Sequence, residues 1–128
     1  MTDLAVLDSS AVLAVFFNEP GGETVVPILR GALLGTVNMA EVHGRMMDRG
    51  AQADHAWSRM QSLQCEICFL TDEQARIAAE LRSITRSFGL SLGDRACLAL
   101  AIERKATVYT TDRVWKNLGL GIQVEVIR

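Results

Sequence analysis

The chain contains no hydrophobic run long enough to span a bilayer, which excludes a helical membrane anchor within it. It has no basic leader: Met1-Thr2-Asp3-Leu4 lacks both the charged region and the apolar region of a secretory signal. Cysteine is scarce and odd in number, three in all, so no disulfide framework is implied and a reducing cytoplasm is the expected setting. There is no basic excess. The 13 basic and 15 acidic residues give a net charge of -2, against the usual pattern of nucleic-acid binders. Internal repeats, low-complexity tracts and linkers are also missing. A single domain over residues 1–128 is the expected organisation.

What is present begins with apolar content. Hydrophobic residues make up 49% of the chain, enough for a real core and too much for disorder. Short apolar runs alternate with helical patterns. Leu4 to Leu7 reads as a buried strand, followed by a helix from Ala11 to Phe17 that Ser9 or Ser10 is placed to cap. A second helix is expected over Glu23 to Arg30, kinked or shortened by Pro27. Ala32 to Val37 reads as strand two, with Asn38 capping a helix to about Arg49 and another helix over Ala51 to Leu63. Glu66 to Leu70 is strand three. Thr71 and Gln74 form a capping-box signature for a helix to Ser87, stopped by Gly89. Ser91 opens a helix over Gly93 to Lys105, Thr107 to Thr110 is strand four, a short helical segment follows Asp112, and Ile122 to Ile127 is strand five. Strands alternating with helices predict an α/β fold with a central parallel five-stranded sheet flanked by helices.

Four acids, Asp8, Glu41, Asp94 and Asp112, stand where strands end or helices begin. In a parallel α/β sheet those points gather along one edge, where ligands bind. Carboxylates crowded together repel unless a cation joins them, and an all-oxygen cluster suits Mg²⁺ or Mn²⁺. Each acid also has a plain structural reading. Asp8 is a favoured helix cap. Glu41 lies three residues after Asn38, the capping-box spacing, and Asp94 repeats that spacing after Ser91, although Asp is shorter and fits the reciprocal bond less well. Asp112 can organise a turn after Thr110-Thr111. Four independent caps, however, need not fall on one edge. Setting these acids aside leaves 11 acidic residues against 13 basic, and eleven of the basic residues are arginine, which grips phosphate in two parallel bonds. An RNA substrate is therefore permitted by the composition.

The residues around the acids carry a resemblance. Val6-Leu-Asp8-Ser-Ser-Ala-Val-Leu13, followed by Glu19-Pro20-Gly21, resembles the opening of a PIN-domain ribonuclease, and more narrowly a VapC-type toxin of a type II toxin–antitoxin system. Asn38-Met-Ala-Glu41-Val42 is similar to the second acidic motif. Leu90-Ser-Leu-Gly-Asp94-Arg-Ala-Cys-Leu-Ala-Leu-Ala101 is similar to the family's most specific stretch, and Tyr109-Thr-Thr-Asp112-Arg113 to its last. The resemblance implies a PIN-like fold and an Mg²⁺- or Mn²⁺-dependent endoribonuclease that cuts structured RNA, transfer RNA being the first guess. It also implies a homodimer and a cognate antitoxin. Carried over, it makes Asp8 and Asp94 the chief metal ligands, with Glu41 and Asp112 completing the set. Thr110 would orient water, and Ser10 would stand as a polar neighbour of the first acid. Two alternatives remain: an RNA-processing PIN nuclease without an antitoxin, and a catalytically silent PIN-like binding protein.

Other residues invite chemical readings. Cys65-Glu-Ile-Cys68 has Cys-x-x-Cys spacing, but no second ligand pair follows and the stretch is predicted as strand, which favours a structural role. Cys97 falls on an apolar helical face. His43, two residues past Glu41, is turned roughly 200° round the helix and should face away from it. Trp57 is read as packing in preference to base stacking. Arg45, Arg49, Arg113 and Lys116 follow site motifs closely and are either phosphate contacts or solvated charges. The helix Ala11 to Phe17, with Val25, Val26 and Leu29, is either core or a groove for an amphipathic partner helix.

Overall fold

A computed structural model describes residues 4–128. Met1 to Asp3, where the lack of a leader was read, lie outside the described residues. Five strands form one sheet: β1 (Ala5–Leu7), β2 (Leu33–Gly35), β3 (Glu66–Cys68), β4 (Thr107–Thr110) and β5 (Val124–Val126). Six α-helices connect or follow them: α1 (Ser9–Phe16), α2 (Gly22–Val25), α3 (Thr36–Asp48), α4 (Ala53–Gln61), α5 (Asp72–Ile84) and α6 (Leu92–Arg104). Every strand pairing is parallel, in the order β3-β2-β1-β4-β5. The expected architecture is thus the observed one. No helix among the described residues is long and apolar enough to cross a membrane.

Strands β1 and β2 are apolar throughout because they are buried on both faces, their residues alternating between two cores, whereas the edge strands β3 and β5 each expose a glutamate. Leu7 and Leu34 point into one cluster, with Val12, Val25, Val42, Met46 and Met60 from α1 to α4. Val6, Leu33 and Val108 point into the other, with Leu98, Leu100 and Trp115. Helix α6 explains its own composition: Ala96 through Ala101 are all buried, since α6 lies on the sheet and α5 packs over it.

Several boundaries differ from the sequence reading. Helix α1 begins at Ser9, so Asp8 occupies the cap position and neither serine does. Helix α3 begins at Thr36 with Gly35 at the cap position, which puts Asn38 inside the first turn. The β1–α1 and β2–α3 junctions have almost no loop, so the polar residues expected as caps are already helical. The second helix does not reach Arg30. It stops at Val25 and tightens into a 3₁₀ turn over Val26–Ile28, because Pro27 has no N–H to continue the α pattern. Thr71 caps α5 through the Gln74 amide, but the Gln74 side chain turns away to Glu103, so only half the box forms.

The chain runs outward from β1 through β2 to β3, then crosses back to place β4 on the other side of β1. The order reverses between β1 and β4, and the carboxyl ends of those two strands bound the crevice where such sheets bind ligands. Asp8 follows β1 there, and Thr110 ends β4.

Candidate active site

Asp8, Glu41 and Asp94 line one cleft of about 430 Å³. Three elements bring them together: the β1–α1 junction, the second turn of α3 and the first turn of α6. Asp112, two residues past β4 at the cap of a 3₁₀ turn, is exposed and stands outside the lining, but its charge still acts on Asp94. Among the described residues none of the four takes part in an ion pair.

Asp8 is only 5% exposed, a deeply buried acid. Its backbone sits at the α1 cap, yet its side chain caps nothing. Instead Oδ2 accepts from Ser10 Oγ (2.6 Å) and from Thr110 Oγ1 (2.9 Å). Thr111 N–H donates to Ser10 Oγ and Asp112 N–H to Thr110 Oγ1, which fixes both hydroxyls from the β4 side. Burial pushes the Asp8 carboxyl up to about 6 and the Asp94 charge adds to this, while the Ser10 and Thr110 hydroxyls oppose it. Ser10 and Thr110 therefore do stand beside the first acid.

Glu41 does not cap α3. Its Oε1 accepts from Asn38 Nδ2 (2.9 Å) and from Ser9 Oγ. Asn38 is 1% exposed and also donates to Ser9 Oγ (3.2 Å) and to Gly93 O (3.2 Å), tying α3 to the starts of α1 and α6. The capping-box reading of Glu41 is thus corrected: the acid and the amide are used between elements, not within the helix end. A Cβ at Gly93 would overlap the Glu41 carboxylate, so this glycine is the space in which the acid sits.

Asp94 closes a full capping box. Its Oδ2 accepts from Ser91 N–H (3.0 Å), and its own N–H donates to Ser91 Oγ (3.1 Å). The shorter side chain fits the reciprocal bond after all, and capping and cleft lining coexist. Its carboxyl is raised by burial first, with the Glu41 and Asp112 charges adding and the Ser91 bonds opposing. Asp112 does organise its turn, since Oδ1 accepts from Val114 N–H at 3.1 Å.

Ser9, Asn38 and Gly93 carry the geometry, and sequence reasoning gave none of them a site role. Asp48 also lines the cleft. It lies seven residues after Glu41, the helical same-face spacing, and that signal was available. Arg45 lines the cleft as well. The other basic candidates are placed elsewhere: Arg49 lies over the Phe17 ring at 4.1 Å, and Arg113 donates to Arg128 O. His43 turns away as expected, donating to Ala53 O and stacking on Trp57. All three cysteines are free thiols, and Cys97 is fully buried beneath the acids. Of the apolar set around α1, Ala11 to Ala14 and Val25 are core, while Val15, Phe16, Phe17 and Leu29 are half-buried and Val26 is exposed.

Four carboxylates, Asp8, Glu41, Asp48 and Asp94, share a cleft without an ion pair, and burial holds the Asp8 carboxyl up at about 6, a condition a divalent ion would relieve. The donors are all oxygen, as hard cations prefer. Among the described residues no group of three or more His, Cys, Asp or Glu is placed so that it could hold a metal ion by itself.

The PIN domain family model matches residues 5–120. No curated protein gives a significant match. Solved structures similar to the chain include VapBC-5 of Mycobacterium tuberculosis, described as a member of a toxin–antitoxin family. It is 25% identical with a TM-score of 0.62, covering 99% of each chain. VapBC2 of Rickettsia felis, solved with a promoter DNA fragment, is 17% identical with a TM-score of 0.73, covering 95% of this chain and 97% of that one. FitAcB of Neisseria gonorrhoeae is 18% identical with a TM-score of 0.72, covering 94% and 96%.

Proposed function

The chain belongs to the PIN domain family, and on that basis we propose that it is a divalent-metal-dependent endoribonuclease acting as a growth-inhibiting toxin, neutralised by a cognate antitoxin. The observation that carries the nuclease reading is the convergence of Asp8, Glu41 and Asp94 on one cleft without a counter-charge in contact. The antitoxin reading draws on likeness to proteins solved as toxin–antitoxin complexes. The whole chain works as one domain in this proposal, since one sheet unites both halves. Free thiols suit a reducing cytoplasm. Exposed Phe69, Ile84 and Leu92 offer apolar surface for a homodimer.

Asp8 and Asp94 would hold an Mg²⁺ or Mn²⁺ ion, with Glu41 and Asp112 completing the ligand set. When bound, the ion supplies activation of water and neutralisation of charge on the phosphate. The chain's own residues supply position. Ser10 and Thr110 hold Asp8 through one oxygen. Ser91 holds Asp94, and Asn38 with Ser9 holds Glu41, again each through one oxygen. The second oxygens of Glu41 and Asp94 make no hydrogen bond with a described residue and are left for a ligand. All the gripping donors are neutral, so the acids keep their charge for a cation. Water attack requires no 2′-hydroxyl, so the products carry a 5′-phosphate and a 3′-hydroxyl.

The test is cleavage of transfer RNA and of total RNA by purified protein in Mg²⁺ or Mn²⁺, with RNA ends sequenced, beside Asp94→Asn. An amide oxygen can still accept from Ser91, so the fold should survive. Loss of new 5′-phosphate ends in the variant is the expected result. Cutting by Asp94→Asn at the parent rate would end the proposal.

A further inference from the structure

Helix α3 carries a stripe of cleft-lining residues beyond Glu41: Gly44, Arg45 and Asp48, three, four and seven positions on. Arg45 is exposed within a cleft that also holds Asp8, Glu41, Asp94 and Asp48. Among the described residues it nevertheless pairs with no carboxylate. Most other arginines of the molecule are occupied. Arg49 and Arg59 lie over Phe17 and Phe16, Arg95 donates to Ala78 O, and Arg104 and Arg128 reach Glu66 and Glu19. Arg45 is the cleft's cation and it is uncommitted. Beside it, a Cβ placed on Gly44 would meet nothing within 4 Å, so the helix surface there is open to close approach. The cleft lining contains no aromatic ring on which a base could stack.

We infer that Arg45 binds a second, non-scissile phosphate of the substrate strand, one nucleotide from the phosphate at the acids. This rests on the nuclease reading above and extends it to substrate form. From Glu41 to Arg45 the helix rises about 6 Å, close to one phosphate-to-phosphate step along an extended strand. A planar guanidinium offers a phosphodiester two parallel bonds. An acidic cleft repels a polyanion until its metal is bound, so an arginine at its mouth offsets that repulsion where the strand enters. The site therefore recognises backbone, through charge and spacing, and requires at least two consecutive phosphodiesters.

The experiment compares parent protein with Arg45→Gln, which keeps helix propensity and removes the charge. Steady-state kinetics in Mn²⁺ are measured on an oligoribonucleotide and on bis(p-nitrophenyl) phosphate, a single diester. Salt is varied for the first, and Mn²⁺ binding is followed by calorimetry. The expected result is a KM for the oligoribonucleotide raised about tenfold. Its salt slope should fall by about 0.7, the value for one lost phosphate contact on a single strand. The KM for the single diester should change far less than that for the oligoribonucleotide, and Mn²⁺ should bind at least as tightly as to the parent, since a cation has left an acidic cleft. An unchanged KM and salt slope would overturn the inference, as would equal losses on both substrates, which would place Arg45 at the scissile phosphate. A parent that binds Mn²⁺ but cuts no RNA would instead overturn the nuclease reading and this inference with it.

Discussion

Asp8→Asn should make the metal-free protein more stable at pH 8, although it removes the acid nearest the centre of the site. The carboxyl is 5% exposed and its protonation midpoint lies at about 6, against an ordinary value of 3.8. Below pH 3.8 it carries its proton folded and unfolded alike, and its burial is not penalised. Between pH 3.8 and about 6 the unfolded chain sheds this proton while the folded protein keeps it, so stability is lost across that window; above it the folded protein holds a buried charge that the unfolded chain exposes to water. At about 1.4 kcal/mol per pH unit the gap corresponds to about 3 kcal/mol at pH 8. An asparagine oxygen can still accept from Ser10 and Thr110, but its NH₂ needs partners the acid did not, which offsets about 1 kcal/mol. A net gain of about 2 kcal/mol should raise Tm by about 6–10 °C for a chain of this size. Calorimetric melting in EDTA at pH 8 and pH 4 measures it, with the sign reversing at pH 4, where the cost of the asparagine NH₂ outweighs what is left of the gain. If Asp8 is a chief metal ligand as proposed, saturating Mn²⁺ should then raise the parent's Tm and leave the variant's unchanged. A variant that melts below the parent at pH 8 in EDTA would refute the reasoning, because the carboxylate would then be a structural hydrogen-bond acceptor whose charge stabilises the fold.

Gly93→Ala should leave the unfolding free energy within about 1 kcal/mol of parent, because better helix propensity offsets the crowding. It should still weaken Mn²⁺ binding at least tenfold by displacing the Glu41 carboxylate; unaltered calorimetric affinity would contradict this. Asn38→Ala should cost about 1–3 kcal/mol in urea unfolding, since it strips the shared donor from Glu41, Ser9 and Gly93 O. A loss below 0.5 kcal/mol, about the noise of such measurements, would show the amide to be dispensable. In native protein, Cys97 should resist a thiol reagent at pH 8 until the fold opens, because full burial raises its thiol well above the ordinary range. Labelling at Cys97 before unfolding, detected by mass spectrometry, would count against that.

The architecture was legible because its signals are local and repeated. Alternating apolar runs and helical patterns gave the strand and helix order, and β4 was read to the residue. The order β3-β2-β1-β4-β5 depends on which strands pair across long separations, and no periodicity records that. Of the four acids singled out in the sequence, Asp8, Glu41 and Asp94 do line one cleft, although Glu41 lies in the second turn of α3 and not at its start, and Asp112 stands outside. The supports of these acids were not legible. Ser9 and Asn38 looked like caps because capping is a rule of nearest neighbours, whereas both side chains serve partners about thirty residues away. Gly93 looked like an ordinary helix residue, and only the proximity of Glu41 explains why it has no side chain. Asp94 shows that one carboxylate can obey the local rule and serve the cleft at once.

Thr110 grips Asp8 across 102 positions of sequence, and β4 brings it there by pairing beside β1. During synthesis, then, a growing chain that has exposed only its first hundred residues has three of its acids but not the hydroxyl that orients the earliest one. The cleft therefore cannot take its final form before β4 has paired beside β1, however early its acids emerge.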